Sequence, residues 1–194
     1  MSRQGDKETR GQGDAASTVS PRLPVSLSPP HKRTLVIGYG NPSRRDDGVG
    51  LAVVNGLRER LGLPPLAEGD DGFDDLGQSL DTLALQQLTP ELAETVAAYD
   101  RLILVDAHVG TYPELIQRVQ LRPQVEPSLV SHHLKPNHLL ALTVQLFGRA
   151  PVAELLSIRG FDFDFGPGLS PATAEGVQQV IAEIWSKFLI PHPS

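Results

Sequence analysis

Three short segments carry residues able to do chemistry. The first is Gly38-Tyr39-Gly40-Asn41-Pro42-Ser43-Arg44-Arg45-Asp46-Asp47-Gly48-Val49-Gly50. A glycine turn between a strand and a helix ordinarily cradles phosphate. Here the dinucleotide spacing would need glycine at position 43, where Ser43 stands, and the Walker Gly-Lys-Ser/Thr is missing. Two carboxylates at the helix start would also repel phosphate. That end of a helix favours negative charge, so we expect Asp46 to serve as a helix cap. One capping carboxylate is ordinary; the second, Asp47, invites another explanation.

The second segment ends a run of apolar residues, Leu102 to Val105, with Asp106. In a parallel sheet that end of a strand faces the same side as the first glycine turn, where ligands bind. A carboxylate there is costly unless paired, hydrogen-bonded or bound to a cation. Capping of a neighbouring loop is the bland alternative. The third segment is Ser131-His132-His133-Leu134-Lys135-Pro136-Asn137-His138. Imidazole is the commonest neutral metal ligand. One of these histidines with Asp47 and Asp106 would give one nitrogen and two oxygens with open positions. A solvated histidine cluster at a helix start is the competing reading. His108 is expected as a neighbour of Asp106 or as an exposed residue. His31 and His192 sit near the termini and are set aside.

Composition narrows the chemistry. The chain of 194 residues has no cysteine, which excludes disulfides, thiolate ligands and a cysteine nucleophile. That is compatible with a cytoplasmic location, which we expect. There is no His-Glu-x-x-His zinc motif. The formal charge is −6, from 17 basic and 23 acidic residues. Residues 1–33 hold six of the basic and three of the acidic ones, so the remainder is strongly acidic. An acidic body disfavours nucleic acid and anionic lipid. No apolar run approaches the ~20 residues that span a bilayer, and the N-terminus has no signal-like apolar stretch.

The elements that must position these residues follow from local pattern. Residues 1–33 are polar and rich in Gly, Ser and Pro, and are expected as a disordered tail before a single domain over 34–194. Buried strands are expected over 34–37 and 101–107, a second strand over 82–88, an outer strand over 115–122, and another over 153–159. Helices are expected from Asp47 to Leu61, from Pro90 to Ala98, from Pro136 to Phe147 and from Pro171 to Leu189. Residues 62–80, dense in Gly and Asp, read as a loop or insertion. Strands alternating with helices imply an α/β sandwich with a mainly parallel sheet of about five strands.

Together the segments resemble the [NiFe]-hydrogenase maturation proteases. The resemblance runs from about Thr34 to Leu189 and rests on five stretches in order: G-Y-G-N-P-S-R-R-D-D-G-V-G, L-Q-Q-L-T-P-E-L-A, I-L-V-D-A, S-H-H-L-K-P-N-H-L-L-A-L and F-G-P-G-L-S-P. It implies a three-layer α/β sandwich and an endopeptidase that removes the C-terminal extension of a hydrogenase large-subunit precursor after nickel insertion. It implies a metal-sensing site of Asp47, Asp106 and His132, with His133 as the fallback and His138 a further option. Asp47 stands where some relatives carry Glu, which shortens the arm without changing the ligand type. Either aspartate is a candidate general base. The nickel is expected to come with the precursor, and the enzyme to be a monomer. The alternative is a non-proteolytic nickel-binding chaperone or regulator on the same fold.

Overall fold

The computed structural model describes residues 32–67, 69–110, 112–125 and 134–189. Most of the expected tail, together with His132 and His133, lies outside these residues. Among these residues five strands form one sheet: β1 Thr34–Tyr39, β2 Leu80–Leu85, β3 Arg101–His108, β4 Ile116–Leu121 and β5 Val152–Arg159. Their order is β2-β1-β3-β5-β4. All pairings are parallel except that of the edge strand β4 with β5. Among the described residues four helices flank the sheet: α1 Val49–Leu61, α2 Leu92–Ala97, α3 Pro136–Phe147 and α4 Pro171–Leu189. The expected sandwich with a mainly parallel five-stranded sheet is therefore the observed one. Among the described residues no helix is long and apolar enough to cross a membrane.

Side-chain alternation divides the core into two layers. Leu35 and Ile37 of β1, with Leu102 and Leu104 of β3, pack against Val96 of α2 and Leu139 and Leu140 of α3. Val36, Ile103 and Val105 face the other way, onto Val49, Val53 and Leu57 of α1 and Val177, Val180, Ile181 and Ile184 of α4. Both sets follow the periods written in the sequence, two for strands and about 3.6 for helices. Each fully buried aliphatic side chain contributes about 1.5–3 kcal/mol.

Several boundaries shift: α1 begins at Val49 after a 3-10 turn rather than at Asp47, and α2 covers Leu92–Ala97 rather than starting at Pro90. The second strand starts at Leu80 rather than Thr82 and stops at Leu85 rather than Leu88. Its partner β1 sets that length, because Thr34 pairs with Leu80 and Tyr39 with Leu85. Leu88 is buried all the same, but outside the strand. The Gly- and Asp-rich stretch is a loop as expected, yet it is firmly attached. Asn55 exchanges two hydrogen bonds with the backbone of Leu66, at 2.8 and 3.1 Å. Buried Arg58 pairs with Asp75 at 2.7 Å and donates to the Pro64 carbonyl at 2.6 Å. The Ala84 amide donates to the Asp71 carbonyl at 3.0 Å, so the loop satisfies part of the open edge of β2. At the start of β1, Arg33 donates through its amide to Asp100 and through its guanidinium to Asp81, and lies over the Tyr99 ring.

The glycines of the first turn have a packing purpose. A Cβ at Gly38 would sit 2.1 Å from the Gly50 carbonyl oxygen, and one at Gly50 would sit 2.4 Å from the Tyr39 nitrogen. Strand β1 and helix α1 thus touch backbone to backbone, where no side chain fits. Gly50→Ala is expected to destabilise the fold by about 3 kcal/mol, the upper part of the range for overpacking a tight contact. Urea unfolding monitored by circular dichroism would show it as a lower midpoint.

Candidate active site

Strand β1 leads through α1 to β2 on one side of it, while β2 leads through α2 to β3 on the other. The two helices lie on opposite faces of the sheet. The chain therefore diverges at the carboxyl ends of β1 and β3, and such a divergence opens a crevice where α/β sheets bind ligands. Asp47 follows β1, in a single 3-10 turn over Arg45–Gly48. Asp106 stands near the end of β3. The structure brings these two sequence candidates together.

Asp47 is half-buried, and its Oδ2 accepts the Asn41 amide at 3.0 Å. Gly40 makes room for it. That residue takes a φ of +134°, and a Cβ there would lie 2.2 Å from the Asp47 carbonyl oxygen and 3.5 Å from its Oδ1. Only glycine accepts both the backbone conformation and the approach.

Asp106 is also half-buried, and its Oδ1 accepts the Ala107 amide at 2.8 Å. Gly38 pairs with Val105, so Tyr39 and Asp106 follow side by side. The Tyr39 hydroxyl donates to the Asp106 carboxylate. Burial pushes the Asp106 carboxyl up to about 6; the Ala107 and Tyr39 hydrogen bonds oppose the rise and the charge of Asp47 adds to it. Burial, reinforced by the Asp106 charge, also raises the Tyr39 phenol, which stays a neutral donor. Two carboxylates that repel one another in a half-buried crevice form a site that a cation would stabilise.

Asp46 is structural, as expected, but its partner is not its own helix. The turn it occupies receives no side-chain cap. Its carboxylate is fully buried and reaches across the fold to the segment that opens α4. It accepts the amides of Phe161, Asp162 and Ser170 at 2.8, 2.9 and 2.6 Å. It also accepts the hydroxyls of Ser170 and Thr173 at 2.7 and 2.9 Å. Burial alone would raise its pKa; these donors outweigh burial and hold it down at about 2. The same segment grips the turn elsewhere. The Gly166 amide donates to the Ser43 carbonyl at 2.9 Å, and Arg45 pairs with Asp162 at 2.5 Å. Arg45 adopts a φ of 42°, a left-handed conformation costing roughly 1 kcal/mol for a side-chain-bearing residue. The Asp162 pair helps to hold it there.

The histidines divide. His132 and His133 lie outside the described residues. His108 is buried rather than exposed; its Nδ1 accepts the Gly110 amide at 3.3 Å and its ring meets Tyr112 edge-on. Burial and then Arg159 lower its pKa, which keeps it neutral. His138 sits in the first turn of α3, beside Asn137, whose backbone and side chain receive the amides of Gln124 and Arg122. Those residues follow the end of β4 that pairs with the start of β5, away from Asp106. Among the described residues, no three His, Asp or Glu side chains are grouped to hold a metal.

The decisive comparison is with solved structures. HycI, a [NiFe] hydrogenase maturation protease from Thermococcus kodakarensis KOD1, superposes with a TM-score of 0.54 and 21% identity, covering 81% of this chain and 92% of that one. The maturating endopeptidase HybD from E. coli gives a TM-score of 0.58 and 20% identity over 80% and 91%. HybD from T. kodakarensis gives 0.52 and 18% over 81% and 99%. The fold is that of hydrogenase maturation endopeptidases. No protein-family model matches the sequence, and no curated protein does either.

The two aspartates should respond to pH in opposite senses. The folded pKa of Asp46 lies below its ordinary value near 3.8, so its contribution of about 2 kcal/mol is complete above pH 4 and fades as pH falls towards 2. Asp46→Asn should destabilise the protein at pH 7 by at least that much, with the deficit shrinking in acid. The folded pKa of Asp106 lies above the ordinary value, so its ionisation costs stability as pH rises from 4 through 6. Asp106→Asn is expected to stabilise the protein by about 2 kcal/mol at pH 7 and by little at pH 4. Urea titrations at pH 7, 4 and 2 check both signs.

Proposed function

We propose that this protein is an endopeptidase that removes the C-terminal extension of a [NiFe]-hydrogenase large-subunit precursor once nickel is in place. The observation that carries the reading is the Asp47–Asp106 pair at the divergence of β1 and β3, on a fold shared with enzymes of that activity. The five sequence stretches that resemble the family support it. In this reading the chain belongs to that family.

The metal ion belongs to the substrate. Asp47 and Asp106 each offer carboxylate oxygen to the precursor's nickel, and His132, or His133 in its stead, supplies the imidazole. Nickel(II) accepts both donor types. A divalent ion between the two carboxylates removes their mutual repulsion and favours the ionised form of Asp106. The mutual repulsion of the pair gives a physical basis for sensing a loaded precursor. In the proposed hydrolysis a carboxylate of the pair takes a proton from the attacking water, and the departing amine receives one as the peptide bond breaks.

The test uses the full chain with precursor prepared with and without nickel, and mass spectrometry to detect the shortened product. Cleavage of the loaded form alone is expected. Asp47→Ala and Asp106→Ala should each reduce processing by roughly a hundredfold or more, the usual weight of a positioned acid–base group. His132→Ala or His133→Ala should do the same for whichever imidazole is used. Equal cleavage of both precursors would remove nickel sensing from the reading. Undiminished processing by all the variants would remove the site assignment. Binding without cleavage would favour the chaperone.

A further inference from the structure

The Tyr39 phenol touches the acid pair, yet the proposed hydrolysis gives it no part. Its residue is firmly held. Tyr39 pairs with Leu85 of β2, and the Gly40 amide that follows donates to the Leu85 carbonyl at 3.0 Å. Helix α1 lies against the same backbone, since a Cβ at Gly50 would stand 2.4 Å from the Tyr39 nitrogen. The ring is half-buried and packs against the core layer that contains Leu35, Ile37 and Leu104. The parallel register of β1 and β3 then carries its hydroxyl to the Asp106 carboxylate.

That contact differs in kind from the other one Asp106 makes. The Ala107 amide is the next group in the same strand, so it moves with the carboxylate it serves. Tyr39 ties Asp106 to a second strand. The fold contains another tyrosine–aspartate pair for comparison. The Tyr99 hydroxyl donates to Asp81 at 2.7 Å. There the amides of Gly77 and Gln78 and the guanidinium of Arg33 also reach the carboxylate, at 3.1, 2.8 and 3.1 Å, so its charge is met within the chain. Asp106 has the tyrosine and one amide, and among the described residues no cationic side chain pairs with it. A carboxylate offers about four lone-pair directions. Two neutral donors take part of them and fix where the others point.

We infer that Tyr39 is a positioning residue, whose hydroxyl holds the Asp106 carboxylate in the one orientation that offers its free oxygen lone pairs, beside Asp47, to a divalent cation. The inference rests on the reading of Asp47 and Asp106 as ligands for the precursor's nickel. Tyr39 neither binds the metal nor moves a proton. Its hydrogen bond removes in advance the rotation that Asp106 would otherwise lose on coordination. Removing such an outer contact weakens a metal site by roughly 10–100-fold.

The experiment compares the wild-type chain, Tyr39→Phe, and a chain in which para-aminophenylalanine replaces Tyr39 and restores a donor. Nickel(II) alone is titrated into each, and paramagnetic broadening of the Asp47, Asp106 and Ala107 amides gives the affinity. Tyr39→Phe should weaken binding by roughly tenfold or more, and the aminophenyl side chain should recover it. With nickel-loaded precursor, Tyr39→Phe should raise KM by a similar factor and leave kcat nearly unchanged, the pattern of lost binding. A role in packing alone would lower the urea midpoint and leave the nickel affinity of the folded chain as it was, and that result would overturn the inference. If nickel broadens none of these amides in the wild-type chain, the metal reading of the acid pair fails, and the Asp106 side chain itself then decides the role of Tyr39. Its χ1 couplings should report a single staggered rotamer in the wild-type and aminophenyl chains and averaging in Tyr39→Phe. The same couplings in all three chains would overturn it.

Discussion

The arrangement of the whole site depends on one buried carboxylate. Asp46 draws the amides of Phe161, Asp162 and Ser170 and two hydroxyls onto itself from a segment more than a hundred residues away. An unpaired charge at that depth would be severely destabilising. Five donors make it a fixed point, and the turn that carries it is fixed too. Asp47 is the next residue, so its place near Asp106 follows from a contact it does not itself make. The same contact begins α4, whose apolar face closes one layer of the core against α1 and the sheet. Stability and site geometry are thus coupled through a single side chain.

Close backbone packing supplies the second constraint. The turn after β1 has glycine at each point where strand, turn and helix approach most nearly, at Gly38, Gly40 and Gly50. The motif resembles a phosphate cradle in composition and differs from one in purpose. Here the missing side chains let α1 lie directly on β1 and leave space beside the Asp47 carboxylate. The ends of β1 and β3 are thereby kept open as a crevice.

Within a short distance the fold holds carboxyl groups in opposite electrostatic conditions. Asp46 is surrounded by donors and ionises more readily than in water. Asp106 has two donors, more burial than they offset, and a like charge nearby. The first condition suits a structural anchor. The second leaves an unmet demand for positive charge, the state expected of a group reserved for a ligand. The mismatch costs stability.

Much of this was legible in the sequence. Apolar periodicity fixed the number and kind of elements, and α3 and α4 begin where Pro136 and Pro171 announce them. The chemical types of Asp47, at a helix start, and Asp106, at the end of an apolar run, marked them as unusual from local pattern alone. The sequence missed Tyr39 as part of the site, because its hydroxyl meets Asp106 only through the parallel register of β1 and β3. It also misplaced the partner of Asp46, since Ser170 and Thr173 arrive from the far end of the chain. Composition and spacing determine what each segment becomes, because those preferences are short-range. The sequence already separated Asp46 as a cap from Asp47; the tertiary structure alone decided which distant segment Asp46 anchors. That choice depends on burial and on donors from distant segments, neither of which is a property of local sequence.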